Sequence, residues 1–211
     1  MKVVVLIGGQ SSEREVSLKS GKAVYDALVR KGHKAEVFDP GAGSDDASDR
    51  LPPGPLAMIR SGTVLNSDVV FIALHGGSGE NGQVQCLLDL AGKRYTGSGM
   101  LSSAMAMDKA LTKRLMAMVD VLTPKHALYR VVAEEELSDI GSEILDRFDL
   151  PVIVKPNDGG STIGLTKVTA PDLLEPALRT CFGESRQILV ETFVEGRELT
   201  VGFLEDQAFP V

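Results

Sequence analysis

Residues 151–165 read PVIVKPNDGGSTIGL, which places Lys155 between a short apolar run and a glycine-rich loop. The apolar run at residues 151–154 is typical of a buried β-strand, so the lysine is predicted at the end of that strand. Glycines let backbone N–H groups turn toward one ligand, and successive N–H groups form a concavity that binds anions. The stretch therefore indicates either a polyphosphate-binding loop or a surface turn with a solvated lysine.

The first half of the chain is typical of a parallel α/β unit. Residues 3–7 and 69–74 are continuous apolar runs, the second preceded by Asp68, as found in strands that are buried on both faces of a parallel sheet. Apolar residues recur at helical spacing over residues 13–30 and precede a strand at 35–38, which predicts a right-handed β-α-β crossover. A turn at residues 95–99 marks the predicted end of this unit.

The second half predicts a mixed α+β unit. One long helix is expected at residues 101–119, and a strand at 187–193 is expected to pair antiparallel with a strand at 198–204. Three further strands are predicted at residues 126–131, 151–155 and 165–168, with helices at 134–148 and 169–182. The fold class is therefore α/β, with a parallel-sheet domain followed by an α+β unit.

Composition excludes several classes of protein. The 211-residue chain has a net charge of −7, which argues against a nucleic-acid partner. Its two cysteines lie far apart, and its three histidines are too dispersed to indicate a metal site. The apolar runs are too short for a signal peptide or a membrane span, so a cytoplasmic protein without a membrane partner is expected.

Four side chains outside the loop are candidates for chemistry. Glu13 either stabilises a helix N-terminus or faces a substrate ammonium. His75, in a glycine-rich loop at a strand end, either has a structural role or orients a substrate carboxylate, whereas His126 is interpreted as structural. Glu191 and Glu198 are either surface acids or acceptors for the amine and hydroxyls of a nucleotide.

Five motifs in this order resemble the D-alanine–D-alanine ligases, which are ATP-grasp enzymes. The motifs are GGQSSEREVS at residues 8–17, HGGSGENG at 75–82, YTGSG at 95–99, MDK at 107–109 and KPNDGGSTIG at 155–164. The resemblance implies a Rossmann-like pre-ATP-grasp domain that binds substrate at residues 1–97. It also implies the central ATP-grasp subdomain at 98–191 and the incomplete start of a C-terminal ATP-grasp domain at 192–211.

The resemblance also implies a reaction and a substrate site. Two D-alanines would be joined through an acyl phosphate made with ATP, for peptidoglycan precursors of the cell wall. Glu13 would hold the ammonium of the first D-alanine, with Val16 and His75 in the same site. Ser161 would link the phosphate loop to that site through hydrogen bonds, so Glu13 and Ser161 are the implied catalytic residues.

The resemblance implies a nucleotide site formed by residues of the central subdomain and of the C-terminal domain. Lys109 and Lys155 would contact the phosphates, and Gly160, Ser161 and Thr162 would close over them. Three residues would hold the nucleoside: Glu191 at the adenine amine, the backbone near Val194 at the adenine ring, and Glu198 at the ribose hydroxyls.

The chain departs from the family pattern in two ways. Thr192 stands where many members have lysine, which puts one cationic contact to the nucleotide in doubt. Family members also continue beyond the position of Val211 into a part with the ligands for magnesium or manganese. The chain by itself is therefore expected to be inactive, and the family implies a homodimer formed through the first domain.

Two other functions remain open from the sequence. One is a related ligase that makes a D-alanyl ester or another depsipeptide, which would differ mainly beyond Val211. The other is a module without catalysis that binds a nucleotide or D-alanine.

Overall fold

The first sheet is parallel and three-stranded, as predicted. A computed structural model describes residues 1–42, 53–204 and 206–210. Its strands β1 (Lys2–Leu6), β2 (Lys34–Phe38) and β3 (Val69–Ile72) lie in the order β2-β1-β3, and α1 (Arg14–Arg30) connects the first two. β1 is the central strand, and its residues 3–6 are buried, because apolar side chains on both faces require cover on both faces.

Short elements complete the cover of this sheet. They form an apolar core with it that includes Leu6, Met58, Val70 and Leu88. The elements are 3-10 turns at Pro55–Arg60 and Gly77–Gly79, α2 (Gly62–Leu65) and α3 (Gln83–Leu90).

The second sheet is antiparallel and four-stranded, with the order β4-β7-β5-β6. Two helices cover one of its faces, and Ile144, Leu178 and Ile188 belong to the shared core. The strands are β4 (His126–Arg130), β5 (Val152–Pro156), β6 (Thr166–Val168) and β7 (Gln187–Thr192). The helices are α6 (Leu137–Arg147), which follows a 3-10 turn at Glu134–Glu136, and α7 (Leu174–Glu184), which follows one at Pro171–Leu173. These elements confirm the predicted α+β character of the second half.

The prediction of one helix over residues 101–119 is wrong. Two helices occupy this region, α4 (Met100–Met107) and α5 (Lys109–Ala117). Between them, Asp108 has φ −79° and ψ 97°, and its carboxylate accepts the N–H of Leu111 at 2.9 Å. Aspartate is a preferred N-cap residue, so Asp108 starts a new helix and places Lys109 at its first position.

The prediction that residues 198–204 pair with β7 is also wrong. β7 already has β4 on one side and β5 on the other, so it offers no free edge. Instead, β8 (Phe203–Leu204) pairs with β9 (Gln207–Ala208), and Glu198 lies exposed outside any helix or strand. The pattern of apolar residues predicted a strand but carried no information about its partner.

Helix α1 contacts the sheet through its smallest residues. Ser17 and Gly21 are its buried positions, whereas Val16 is 49% exposed. The Ser17 hydroxyl donates to the Ala73 carbonyl at 2.6 Å, and a Cβ atom at Gly21 would lie 2.2 Å from Cγ2 of Ile7. The absence of side-chain bulk therefore allows the helix to approach the sheet closely.

We expect Gly21→Ala to destabilise the protein. The added methyl group would overpack the helix–sheet contact by roughly 1–3 kcal/mol, against a gain in helix propensity of about 1 kcal/mol. Gly183→Ala in α7 is the matched control, since nothing lies within 4 Å of a Cβ atom there. Urea unfolding should give a lower midpoint for the first variant and an equal or higher one for the second. A stabilised Gly21→Ala variant would contradict the close approach.

Asp39 ties the end of β2 to the loop after β1. Its carboxylate accepts the N–H groups of Gly9 at 3.0 Å and Gly41 at 2.8 Å, and it pairs with Arg14 at 2.6 Å. Burial alone would raise the pKa of Asp39, but the hydrogen bonds from Arg14 and the two backbone groups outweigh it and lower that pKa.

The lowered pKa of Asp39 predicts a pH-dependent contribution to stability. A carboxyl group with a depressed pKa stabilises the fold above its unfolded pKa of about 3.9, and this is lost as the pH falls through the folded pKa. The variant Asp39→Asn should therefore lose less free energy of unfolding on acidification than the unmodified protein does. Asp26→Asn, at an exposed helix pair, is the control. Equal acid sensitivity of Asp39→Asn and the unmodified protein would contradict this role.

Candidate functional site

A cavity of about 700 Å³ lies at the carboxyl end of β3 and reaches across to the second unit. Ligands in open α/β sheets bind at this end of the strands, where loops replace the paired backbone. The lining residues that carry chemistry come from both halves of the chain: Ser20, His75, Glu80 and Gln85 from the first, and Lys109, Gly159 and Gly160 from the second.

Glu13 and Ser161 meet across the opening between the two units. Glu13 lies immediately before α1, and the Ser161 hydroxyl donates to its Oε1 atom. Its other carboxylate oxygen lies so close to the glycine loops that a Cβ atom would be 2.4 Å away at Gly76 and 3.0 Å away at Gly160. The structure therefore brings the predicted substrate acid and the predicted phosphate loop into direct contact.

The glycine-rich loop has an unusual backbone. Ser161 has φ 48° and Thr162 has φ 60°, in the left-handed region that side chains other than glycine rarely adopt. A β-branched residue such as Thr162 is strained there, and such strain concentrates in ligand-binding segments. The loop lies beside β5, where the sequence predicted it.

Asn157 fixes the start of this loop and was missed by sequence analysis. Its side chain is fully buried and accepts the N–H of Ala110 at 2.8 Å while donating to Asp108 at 2.9 Å. The Lys109 ammonium donates to the carbonyls of Asn157 at 3.2 Å and Gly159 at 2.5 Å. These hydrogen bonds attach the loop to the junction of α4 and α5. In the sequence, the role of Asn157 was indicated only by an amide side chain in a loop next to a buried strand.

Two lysines pair with one buried carboxylate, and Lys109 lies near them. Glu191 lies 2.6 Å from the Lys155 ammonium and 2.7 Å from the Lys113 ammonium. Burial would raise the pKa of Glu191, but the hydrogen bonds and charges of Lys113 and Lys155 outweigh it and lower that pKa. Burial lowers the pKa of Lys109, and the positive charge of Lys155 lowers it further.

Lys113 and Lys155 share the single carboxylate of Glu191, which leaves positive charge beside the glycine-rich loop that suits an anionic ligand, while Asp108 and Asp158 act on Lys109. Lys113 belongs to this cluster although no motif in the sequence pointed to it, and its side chain is only 10% exposed. Its spacing of four residues from Lys109 places both on one side of α5 and was the available signal.

His75 lines the cavity. Its Nε2 atom lies 2.9 Å from the Ser20 hydroxyl, and its Nδ1 atom lies 3.9 Å from the Glu80 carboxylate. Both ring nitrogens therefore have polar neighbours that orient the imidazole toward the cavity.

Among the predicted site residues, His75, Lys109 and Gly160 line this cavity. Glu13, Lys155, Ser161, Thr162 and Glu191 belong to the adjoining contacts and loop described above, whereas Val16, Val194 and Glu198 are exposed and take part in none of those contacts. Their roles toward a substrate or a nucleotide stay predictions.

The described residues contain no group of three or more histidine, cysteine, aspartate or glutamate side chains that could hold a metal ion. The described ranges are residues 1–42, 53–204 and 206–210. None of the helices described in those ranges combines the length and apolar character needed to cross a membrane.

Two family models match the chain. The model described as D-ala D-ala ligase N-terminus matches residues 56–98, and the model described as D-ala D-ala ligase C-terminus matches residues 115–211.

Curated relatives carry the same description. A D-alanine--D-alanine ligase of Cupriavidus necator is 43% identical over 94% of this chain and 55% of its own length. One from Nitrosospira multiformis is 43% identical over 100% of this chain and 62% of its own length. The chain thus spans less than two thirds of the length of these relatives.

Solved structures share the fold. A D-alanine--D-alanine ligase from Bacillus anthracis is 30% identical with a TM-score of 0.75, and the similarity covers 93% of this chain and 58% of that one. A structure of a Bacillus anthracis ligase complexed with ATP gives a TM-score of 0.75 at 28% identity, over 93% of this chain and 60% of that one. These likenesses confirm the predicted fold class.

Proposed function

Because this chain belongs to the D-alanine–D-alanine ligase family, we propose that it forms the part of such an enzyme that binds ATP and the first D-alanine. The contact between Glu13 and Ser161 carries the proposal, because it joins an acid suited to an ammonium with a loop suited to phosphates. The product D-alanyl-D-alanine would serve peptidoglycan precursor synthesis.

The proposed reaction activates a carboxylate before the peptide bond forms. An oxygen of the first D-alanine carboxylate attacks the γ-phosphorus of ATP, and ADP leaves. The amine of the second D-alanine then attacks the acyl carbon, the C–O bond to the phosphate breaks, and inorganic phosphate leaves with a proton lost from the nitrogen. A carboxylate is a poor electrophile until phosphorylation provides that leaving group.

This chain's own residues would position both reactants. The Glu13 carboxylate, which accepts the Ser161 hydroxyl, would accept hydrogen bonds from the ammonium of the first D-alanine, and His75, which lines the cavity, would face its carboxylate. Lys109, Lys155 and the backbone N–H groups of Gly160, Ser161 and Thr162 would offset charge on the phosphates during transfer. Glu191 would accept from the adenine amine, while Val194 and Glu198 would contact the adenine ring and ribose.

A bound divalent cation would neutralise phosphate charge, and we expect its ligands outside the described residues. We also propose that the protein acts in the cytoplasm, where ATP is available, and as a homodimer through residues 1–97. Sedimentation of the purified protein checks the dimer, since a monomer at micromolar concentration would contradict it.

The test of function is phosphate release by the intact gene product with ATP, magnesium and D-alanine. We expect release that depends on D-alanine, with D-alanyl-D-alanine detected by mass spectrometry. Dependence on D-lactate as the second substrate would instead favour a depsipeptide ligase. Binding of ATP or D-alanine without release above background would favour a module that binds but does not catalyse.

A further inference from the structure

A second cavity of about 550 Å³ lies at the outer edge of the second sheet, where α5 meets β4. No residue lines both this cavity and the one described above. We call it the edge cavity and define it by its lining residues, Ala110, Arg114, His126, Ala127, Leu128, Arg130 and Arg147.

The charge of the edge cavity has one sign. Arg114, Arg130 and Arg147 come from three different elements, α5, β4 and α6, and no acid is among the lining residues. Among the described residues, Arg114 and Arg130 form no ion pair, and Arg147 forms one at 3.9 Å with Glu143. Asp108 attracts Arg114 electrostatically, but the lining itself carries only positive charge, in a chain whose net charge is −7.

A protective edge strand is the simpler explanation for such arginines. Charged side chains on an edge strand hinder pairing with other chains, and they do so by pointing into solvent along that strand. Of the three arginines, only Arg130 belongs to β4, whereas Arg114 and Arg147 line the same cavity from the helices α5 and α6. Like charges that converge repel one another, so the arrangement is stabilised when an anion occupies it.

The side chains of Arg147 and Arg114 each have one neighbouring group. The Arg147 side chain is 50% exposed, and its guanidinium carbon lies 5.8 Å from the centre of the Phe148 ring. The Arg114 Nε atom donates to the Ala110 carbonyl at 3.3 Å, which leaves its terminal nitrogens available. These contacts limit the freedom that the side chains would lose when a ligand binds.

We propose that the edge cavity binds a small phosphate-bearing anion. The planar guanidinium group donates two parallel hydrogen bonds to phosphate oxygens, and three such groups match a multiply charged phosphate better than a single carboxylate. The volume lies in the range of small-molecule sites, and His126 contributes a further polar group. Ala110 and Arg114 belong to α5, as do Lys109 and Lys113, so the two sites share one helix.

Diphosphate is the probe that tests this site. It is titrated into the isotope-labelled 211-residue chain at constant ionic strength, and backbone amide shifts separate the two sites. We expect saturable shifts at His126, Leu128 and Arg130 that persist in Lys155→Met, which weakens the nucleotide site. Arg130→Gln and Arg147→Gln should each weaken this binding about tenfold, as expected for a charged hydrogen bond.

Arg30→Gln provides the matched control, since Arg30 is exposed at the end of α1 and removal of its charge should leave the shifts unchanged. Each variant is used only if its amide spectrum stays dispersed, which shows that it folds. Shifts confined to residues 157–164, or equal affinity in Arg130→Gln and Arg30→Gln, would overturn the proposal. Shifts in β4 with a glutamate-rich peptide but not with diphosphate would overturn it in favour of an acidic strand partner.

Discussion

Replacing Glu13 with glutamine is expected to weaken use of the first D-alanine about 100-fold while ATP affinity changes less than about twofold. A charged hydrogen bond to an ammonium contributes about 1.5–3 kcal/mol, and its upper value corresponds to that factor. Glutamine keeps an oxygen that accepts the Ser161 hydroxyl, so the loop contact survives the substitution. The measurement is the KM for D-alanine and the Kd for ATP in the intact enzyme.

Glu15→Gln is the matched control for this experiment. Glu15 is an acid in the first turn of α1, two residues after Glu13, but it is exposed, whereas Glu13 accepts the Ser161 hydroxyl. Loss of the Glu15 charge removes a favourable interaction with the helix dipole without removing a proposed substrate contact. Equal effects of Glu13→Gln on D-alanine and ATP would contradict the proposed ammonium site.

Glu191→Gln should have the largest effect on stability. Glu191, Lys113 and Lys155 are at most 20% exposed, and removal of the single negative charge leaves two cations without a partner. Breaking a buried ion pair by removing one partner typically destabilises by about 3–5 kcal/mol. Urea unfolding measures this loss, and titration with ATP should show weaker binding, since the proposed adenine acceptor is also lost.

The double variant Lys113→Met with Glu191→Gln separates the ion cluster from a simple packing defect. It removes one of the two unpaired cations, so it should be more stable than the sum of the single variants predicts by about 1–3 kcal/mol. Strict additivity would show that Lys113 and Glu191 act independently. Lys19→Met, at an exposed position of α1, controls for the loss of a lysine.

The elements were predictable where a local pattern determined them. Continuous apolar runs predicted β1, which is buried on both faces, and also β5, whose burial alternates along the strand. The break at Asp108 was missed because a capping residue and an exposed helical residue have the same polarity. The strands that pair with β7 are determined by the tertiary fold, and the local alternation of apolar and polar residues does not encode that choice.

The site was predictable in its members more than in its contacts. Glu13, His75, Lys109 and Lys155 carried signals from spacing and from motif resemblance. The contact between Glu13 and Ser161 joins residues 148 positions apart, and no local pattern reports such a distance. Lys113 and Asn157 were missed because burial of a polar side chain depends on partners that only the fold brings together.

The close contact at Gly21 fixes the orientation of α1 on the sheet. Glu13 lies eight residues before Gly21, about two helical turns or roughly 12 Å away. A methyl group at Gly21 would tilt the axis of α1 and move the Glu13 carboxylate out of reach of Ser161. An inherited change at Gly21, far from any ligand, would therefore resemble a defect in substrate recognition.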